Sequence, residues 1–283
     1  MRAKFRKPRK CAPWRRKVVD MLVDETELEL NQLSERLELI EHSKSILEPW
    51  RHWLFDRVRA LDPLRILELG SGSGALWSEN LGRLGMRWEI VVSDLSEEKV
   101  AFCKQRIGPR RGFDFRTIDA HSIPYPDDSF DVVVADHLLQ RIPDPELALR
   151  EIRRVLRRGG KLLVSAIGKR NLMEMEWLVF STFPYSELDS AFPESRRTFS
   201  LDTGVEFLRP YFHDIRLELF SDTLMVTDGE ALVDSIYALN RLAGDQTIIR
   251  EIDRERLRGS IDAILAQQGC VRIHRDAGLF TCG

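Results

Sequence analysis

The sequence is short of cysteine, of long apolar runs and of net charge, and each shortage removes a class of protein. Its four cysteines, Cys11, Cys103, Cys270 and Cys282, are scattered over 283 residues without a C-x-x-C pair. A disulfide framework or a structural zinc site needs clustered thiols, so neither is expected, no metal is expected, and the compartment expected is the reducing cytoplasm. No apolar run approaches the roughly 18 residues needed to span a bilayer. The basic N-terminus is not followed by the apolar stretch of a signal peptide. A net charge of −2 gives the chain as a whole no pull toward nucleic acid or an anionic membrane. Internal repeats and low-complexity tracts are also missing. What is left is an ordinary globular composition, 43% hydrophobic and 31% charged, with enough apolar residues for a sizeable core.

Residues 1–17 contain no acid at all, but they do contain Arg2, Lys4, Arg6, Lys7, Arg9, Lys10, Arg15, Arg16 and Lys17. Such a run is either a solvated, disordered tail or an electrostatic grip on RNA or another polyanion. Aromatic interleaving is thin, with only Phe5 and Trp14, which favours the solvated tail. Residues 18–62 read as helical: Leu30, Leu33, Leu37 and Ile40 recur at helical spacing, Pro49 limits one helix, and Pro63 ends a second containing Trp50, Trp53, Phe55 and Val58.

From residue 63 the pattern changes. Apolar runs RILEL (65–69), WEIVVSD (88–94), FDFRTID (113–119), DVVVAD (131–136) and KLLVSAI (161–167) alternate with helical stretches near 75–84, 96–107 and 145–157. Continuous apolar strands separated by helices predict an α/β fold, a Rossmann-like parallel sheet covered on both faces. Residues 168–199 break the rhythm with an aromatic-rich helical insertion expected to lie over a site. A helix near 201–211, the strand IRLELF (215–220), helices within 228–268 and a last strand or strand pair at 270–283 complete an expected seven-stranded, mostly parallel sheet.

The sharpest motif is ILELGSGSGAL (66–76), a strand running through Gly70, Gly72 and Gly74 into a helix. Glycines permit positive φ and let a ligand approach bare backbone, while a helix start offers free N–H groups. Asp94 ends the next strand, 24 positions after Gly70, where a carboxylate can take ribose hydroxyls. These residues fit a nicotinamide dinucleotide as well as an adenosyl sulfonium, since Gly70, Gly72 and Ala75 also satisfy a loose G-x-G-x-x-A. Three further features decide. Glu68 would repel a pyrophosphate but suits an ammonium. Asp119 and Ala120 follow the third strand, placed for an adenine amino group. The third feature is the run IPYPDDSFDVVVADHLLQRIPDPELALREIRRVLRRGGKLLVS (123–165).

Over residues 60–167 this succession of motifs resembles the class I S-adenosylmethionine-dependent methyltransferases, in particular their small-molecule branch. The resemblance implies S-adenosyl-L-methionine as cofactor. It implies that Gly70, Ser71, Gly72 and Gly74 line the methionine end, steadied by Glu68. It implies Asp94 on the ribose, Leu95 beside the adenine, Asp119 and Ala120 at the adenine amino group, and Asp136 where methionine and acceptor meet. His137 is the first candidate for a base or an acceptor contact. Tyr185, His42 and His52 are weaker ones. Many relatives have a histidine before the "hydrophobic-Pro-Asp" turn; here that position is Arg141, which either meets an acidic acceptor or faces solvent. Residues 136–139 read DHLL and lack the signature for methylating planar base amines.

The function expected is methyl transfer to a small-molecule acceptor, with a specialised metabolite as one candidate, by a monomer or homodimer with no membrane partner. The competing expectations are an RNA or protein methyltransferase using the basic tail, a non-catalytic binding module, and an NAD-dependent oxidoreductase. Trp77 is left open between core and cofactor wall. Asp127, Asp128 and Asp131 read as turn and capping residues, and Gly159 and Gly160 as a tight turn.

Overall fold

The computed structural model describes residues 50–168, 170–183, 199–242 and 253–283. The basic tail, most of the 18–62 segment, His42 and Tyr185 lie outside the described residues.

Seven strands form one sheet in the order β3-β2-β1-β4-β5-β7-β6. Strands β1 (Arg65–Leu69), β2 (Glu89–Asp94), β3 (Phe113–Thr117), β4 (Phe130–Ala135) and β5 (Leu156–Ile167) pair in parallel. Strand β7 (Val271–Cys282) lies antiparallel between β5 and β6 (Ile215–Val226). The central strands are apolar because both faces are covered: every residue of β4 is buried, as is every residue of β2 but the first.

One face packs against α4 (Pro145–Val155), whose Ala148, Leu149, Ile152 and Val155 make an inward stripe. Pro145 opens that helix, and Asp144 caps it by accepting from Leu147 N–H at 2.9 Å. The other face packs against α1 (Trp50–Ala60) through Leu54, Phe55 and Val58, together with Trp77 and Trp88. Each such fully buried side chain contributes roughly 1.5–3 kcal/mol. After β2, α3 (Glu97–Ile107) is capped by Ser96, which accepts from Lys99 N–H at 3.3 Å, with Glu97 and Glu98 in its first turn.

Four expectations of element length need correction. Strand β5 starts at Leu156, not Lys161, so Gly159 and Gly160 lie within it, at a register shift opposite β4 between Phe130 and Val132. The helix expected near 75–84 is only α2 (Ala75–Ser78), followed by a 3₁₀ turn at Leu81–Arg83. Buried Asn80 ends it by donating its side-chain N–H to the Leu76 carbonyl at 2.8 Å. The helix expected near 201–211 is α6 (Gly204–Leu208) with turns on either side. Strand β6 runs six residues past its expected end at 220, because residues 221–226 pair with residues 271–276.

That extension shapes the molecule. Strand β5 pairs with β7 only over residues 277–282, so the far halves of β6 and β7 project beyond the sheet as a two-stranded ribbon. A bare ribbon is unstable in water. Here α5 (Met173–Thr182), α7 (Gly229–Leu242) and α8 (Arg254–Gln268) enclose it around Met175, Leu178, Leu232, Ile236, Leu257 and Ile273. The ribbon and these helices make a second small core beside the carboxyl ends of the parallel strands.

Candidate functional site

A cavity of about 730 Å³ opens at those carboxyl ends, the crevice where open α/β sheets hold ligands. Its walls come from the loops after β1, β2, β3 and β4, from Trp50 of α1, and from the ribbon through Phe220, Leu224, Arg275 and Ala277. A hollow of about 770 Å³ at the β3 edge, lined by Lys104, Arg110 and Arg111, is more open and has none of the strand-end carboxylates.

The loop after β1 has three left-handed residues, Gly70, Gly72 and Gly74, at φ of 71°, 54° and 68°. They are not equivalent. At Gly72 a side chain would meet no atom of the protein within 4 Å, so its bare α-carbon faces open cavity. At Gly74 a Cβ would stand 2.9 Å from Cys103 Sγ, and Gly74 does not line the cavity. Its glycine is demanded by packing of the loop on α3.

Asp94 is buried and accepts from Gly72 N–H at 2.9 Å and from Ser96 N–H at 3.1 Å. It thus ties the glycine loop to the end of β2, while Ser96 takes the helix cap. Leu95 beside it is 68% exposed, unusual for leucine next to a cavity. Asp119 accepts from the backbone N–H of His121 at 2.9 Å and lies 2.7 Å from its Nδ1, leaving His121 Nε2 buried without a partner. Ala120 follows and is buried.

Glu68 is buried under the loop and accepts from Trp77 Nε1 at 2.7 Å. Burial pushes its carboxyl up to about 8; the Trp77 hydrogen bond opposes this, and the charges of Asp136 and Asp94 add to it. Trp77, fully buried, belongs to the core. Asp131 likewise acts structurally, accepting from Leu64 and Arg65 N–H at 2.7 and 2.9 Å.

Past β4, Asp136 accepts from Ser165 Oγ at 2.5 Å and from Trp50 Nε1 at 3.2 and 3.3 Å. Ser165 in turn accepts from His137 N–H at 2.7 Å. This holds His137 at φ 50°, a left-handed conformation that costs about 1–3 kcal/mol outside glycine. Its ring stacks on Trp50 with centroids 5.4 Å apart. Burial drives the His137 pKa below the usual histidine range, Asp136 pulls it back, and the charges of Arg141 and Arg51 push it down again. The ring is therefore neutral near pH 7, and its buried Nδ1 has no partner.

The sequence reading missed Trp50, Ser165, Phe220 and Arg275 as cavity-building residues. Only Ser165 left a trace, as a lone hydroxyl inside the apolar run KLLVSAI. His52 lies on α1 and does not line the cavity. Among the described residues no cluster of His, Cys, Asp and Glu is arranged to hold a metal ion, and no helix is long and apolar enough to cross a membrane.

Residues 67–164 match the family described as "Methyltransferase domain". Among curated proteins, the chain is similar to the ubiquinone/menaquinone biosynthesis C-methyltransferase UbiE of Shewanella sp. (strain ANA-3). The two are 27% identical over 123 residues, 42% of this chain and 49% of that protein. The enzyme of the same name from Shewanella frigidimarina is 26% identical over 137 residues, 47% of this chain and 55% of that protein. The chain thus spans about half the length of the curated relatives it matches. Among solved structures, a Bacillus halodurans C-125 protein superposes with a TM-score of 0.53 at 16% identity, covering 81% of this chain and 96% of that one. The YcgJ protein of Bacillus subtilis gives 0.50 at 18% identity, covering 81% and 97%. These two likenesses concern the fold.

Proposed function

We propose, starting from the match of residues 67–164 to the methyltransferase domain family and the resemblance of the motifs to class I S-adenosylmethionine-dependent methyltransferases, that this chain transfers a methyl group from S-adenosylmethionine to a small-molecule acceptor. The observation that supports this most is the Gly72–Asp94 corner. An unobstructed α-carbon lies beside a buried carboxylate that grips the same loop, with Glu68 and Asp136 lining the cavity close by. Asp94, Asp119 and Asp136 line the cavity as carboxylates, and Glu68 gives up its proton when a cation binds beside it; this set suits a ligand with a sulfonium and an ammonium better than a pyrophosphate.

In this reading Asp94 receives the ribose hydroxyls on the lone pairs that Gly72 and Ser96 leave unused. Leu95 covers the adenine, and Asp119 with the Ala120 backbone receives its amino group. Gly70, Ser71, Glu68 and Asp136 surround the amino-acid end. When bound, S-adenosylmethionine supplies a methyl group made electrophilic by its positively charged sulfur. The chain's own contribution is positioning, which for a well-aligned pair is worth up to ~7–11 kcal/mol of barrier. Trp50, Leu172, Phe220 and Leu224 exclude water from the acceptor side. His137, a neutral ring lining the cavity, is the group placed to take or share an acceptor proton there. Residues 63–283 would form the transferring domain, with Trp50 of α1 covering the site and Leu172 at its edge.

The test is transfer of labelled methyl from S-adenosylmethionine into organic-extractable small molecules, including aromatic acceptors. Label should appear with the native protein and fall at least about tenfold in Asp94→Ala. Label recovered only in RNA or protein would overturn the small-molecule reading.

A further inference from the structure

Glu68, Asp94 and Asp136 line the cavity with the glycine loop. Another part of the lining is aromatic. Trp50 stands edge-on to Phe220 at 5.2 Å and stacks on His137 at 5.4 Å, giving a continuous aromatic wall. The two hydrogen bonds from Trp50 Nε1 to Asp136 fix the plane of its indole.

Three guanidiniums line the cavity, Arg51, Arg275 and Arg141, and Arg51 is ion-paired with Glu79 at 3.2 Å. Arg275 lies 5.9 Å over Phe220, but it is ion-paired with buried Asp222, directly opposite on β6, so its charge is compensated. Arg141 is different. It lines the cavity with an exposed side chain that makes no ion pair or side-chain hydrogen bond among the described residues. Its backbone N–H donates to the Leu138 carbonyl at 2.9 Å, so the turn that presents it is fixed. Its charge is felt at His137, on the wall itself.

We infer that the acceptor is a planar aromatic carboxylate that lies along the Trp50–Phe220 wall and delivers its carboxylate to Arg141. A flat ring matches the wall, and a two-oxygen anion matches the guanidinium fork. One guanidinium without an ion pair among the described residues suits a monoanion. This rests on the reading of the cavity as a methyl-transfer site, whose other half S-adenosylmethionine would fill.

The experiment has two stages on the full chain. S-adenosylhomocysteine is titrated first by calorimetry; failure to bind would strike the methyl-transfer reading. To the protein saturated with it, 2-naphthoate and its neutral isostere 2-naphthamide are then added. The naphthoate should bind about tenfold or more tighter than the amide. Arg141→Gln should erase that preference while leaving S-adenosylhomocysteine affinity unchanged, and Arg141→Lys should restore part of it. Equal binding of the two probes, binding of neither, or a preference that survives Arg141→Gln would overturn the inference while leaving the methyl-transfer reading intact.

Discussion

Trp77 donates its indole N–H to the buried carboxyl of Glu68 at 2.7 Å, so the core of the molecule reaches directly into the floor of the cavity. Glu68 is raised from 4.5 to about 8 by burial, with Asp136 and Asp94 adding their repulsion. The folded protein therefore holds a proton there that the unfolded chain releases near pH 4.5. Between those values the folded state binds more protons. The stabilisation from this proton is complete below about 4.5 and is lost as pH rises through about 8. Glu68→Gln should flatten the fall in ligand-free stability between pH 5 and 9, a slope of up to about 1.4 kcal/mol per pH unit for one proton. Chemical denaturation at several pH values measures it; an unchanged slope would mean that Glu68 is ionised in the fold.

The same proton predicts pH-dependent binding. A cationic ligand beside Glu68 favours its ionised form, so affinity for S-adenosylmethionine should rise with pH toward 8, with proton release in buffers of different ionisation enthalpy. Glu68→Gln should abolish both effects. A pH-independent affinity in the native protein would place the ligand's charge elsewhere.

Gly72 and Gly74 separate ligand space from packing. Gly72→Ala introduces a methyl group into open cavity and costs folding only the strain of a left-handed alanine, about 1–2 kcal/mol. It should fold, yet lose S-adenosylmethionine affinity by tenfold or more, roughly. Gly74→Ala drives its methyl onto Cys103 and should destabilise the fold more. Thermal melts combined with ligand titration distinguish them, and equal behaviour of the two variants would undo the assignment of Gly72 to the ligand.

Ser165 joins Asp136 to His137, accepting from one and donating to the other while fully buried. Ser165→Ala leaves the His137 N–H without its acceptor and should cost about 1–3 kcal/mol of stability. It should also lower turnover with a shifted pH profile, since Asp136 and the His137 ring lose their common anchor. Turnover that falls with an unaltered profile would indicate a merely structural serine.

How far the sequence alone reached depended on distance along the chain. The strand-end residues were legible because glycine loop, Asp94, Asp119 and Asp136 each sit at a predictable step of a strand–helix alternation. Trp50 and Phe220 were not, because they reach the site from 86 residues before Asp136 and from a ribbon whose length depends on pairing with residues 271–276. Gly74 looked like its two neighbours in sequence; only the approach of Cys103 distinguishes it. Asn80 ended a helix that periodicity would continue, by a side-chain bond that no hydrophobic pattern records. Trp77 could be sorted into the core only once Glu68 was seen beneath it.

Asp94 offers the most direct measurement of whether this cavity holds an adenosyl-sulfur compound. Calorimetric titration of the native protein with S-adenosylhomocysteine and, separately, with NAD should give one-to-one binding of the former and no heat from the latter. Asp94→Ala should weaken the former by about 10- to 100-fold, the worth of one or two hydrogen bonds to a carboxylate, while its circular dichroism stays native. Binding of NAD in place of S-adenosylhomocysteine, or an affinity indifferent to Asp94, would contradict it.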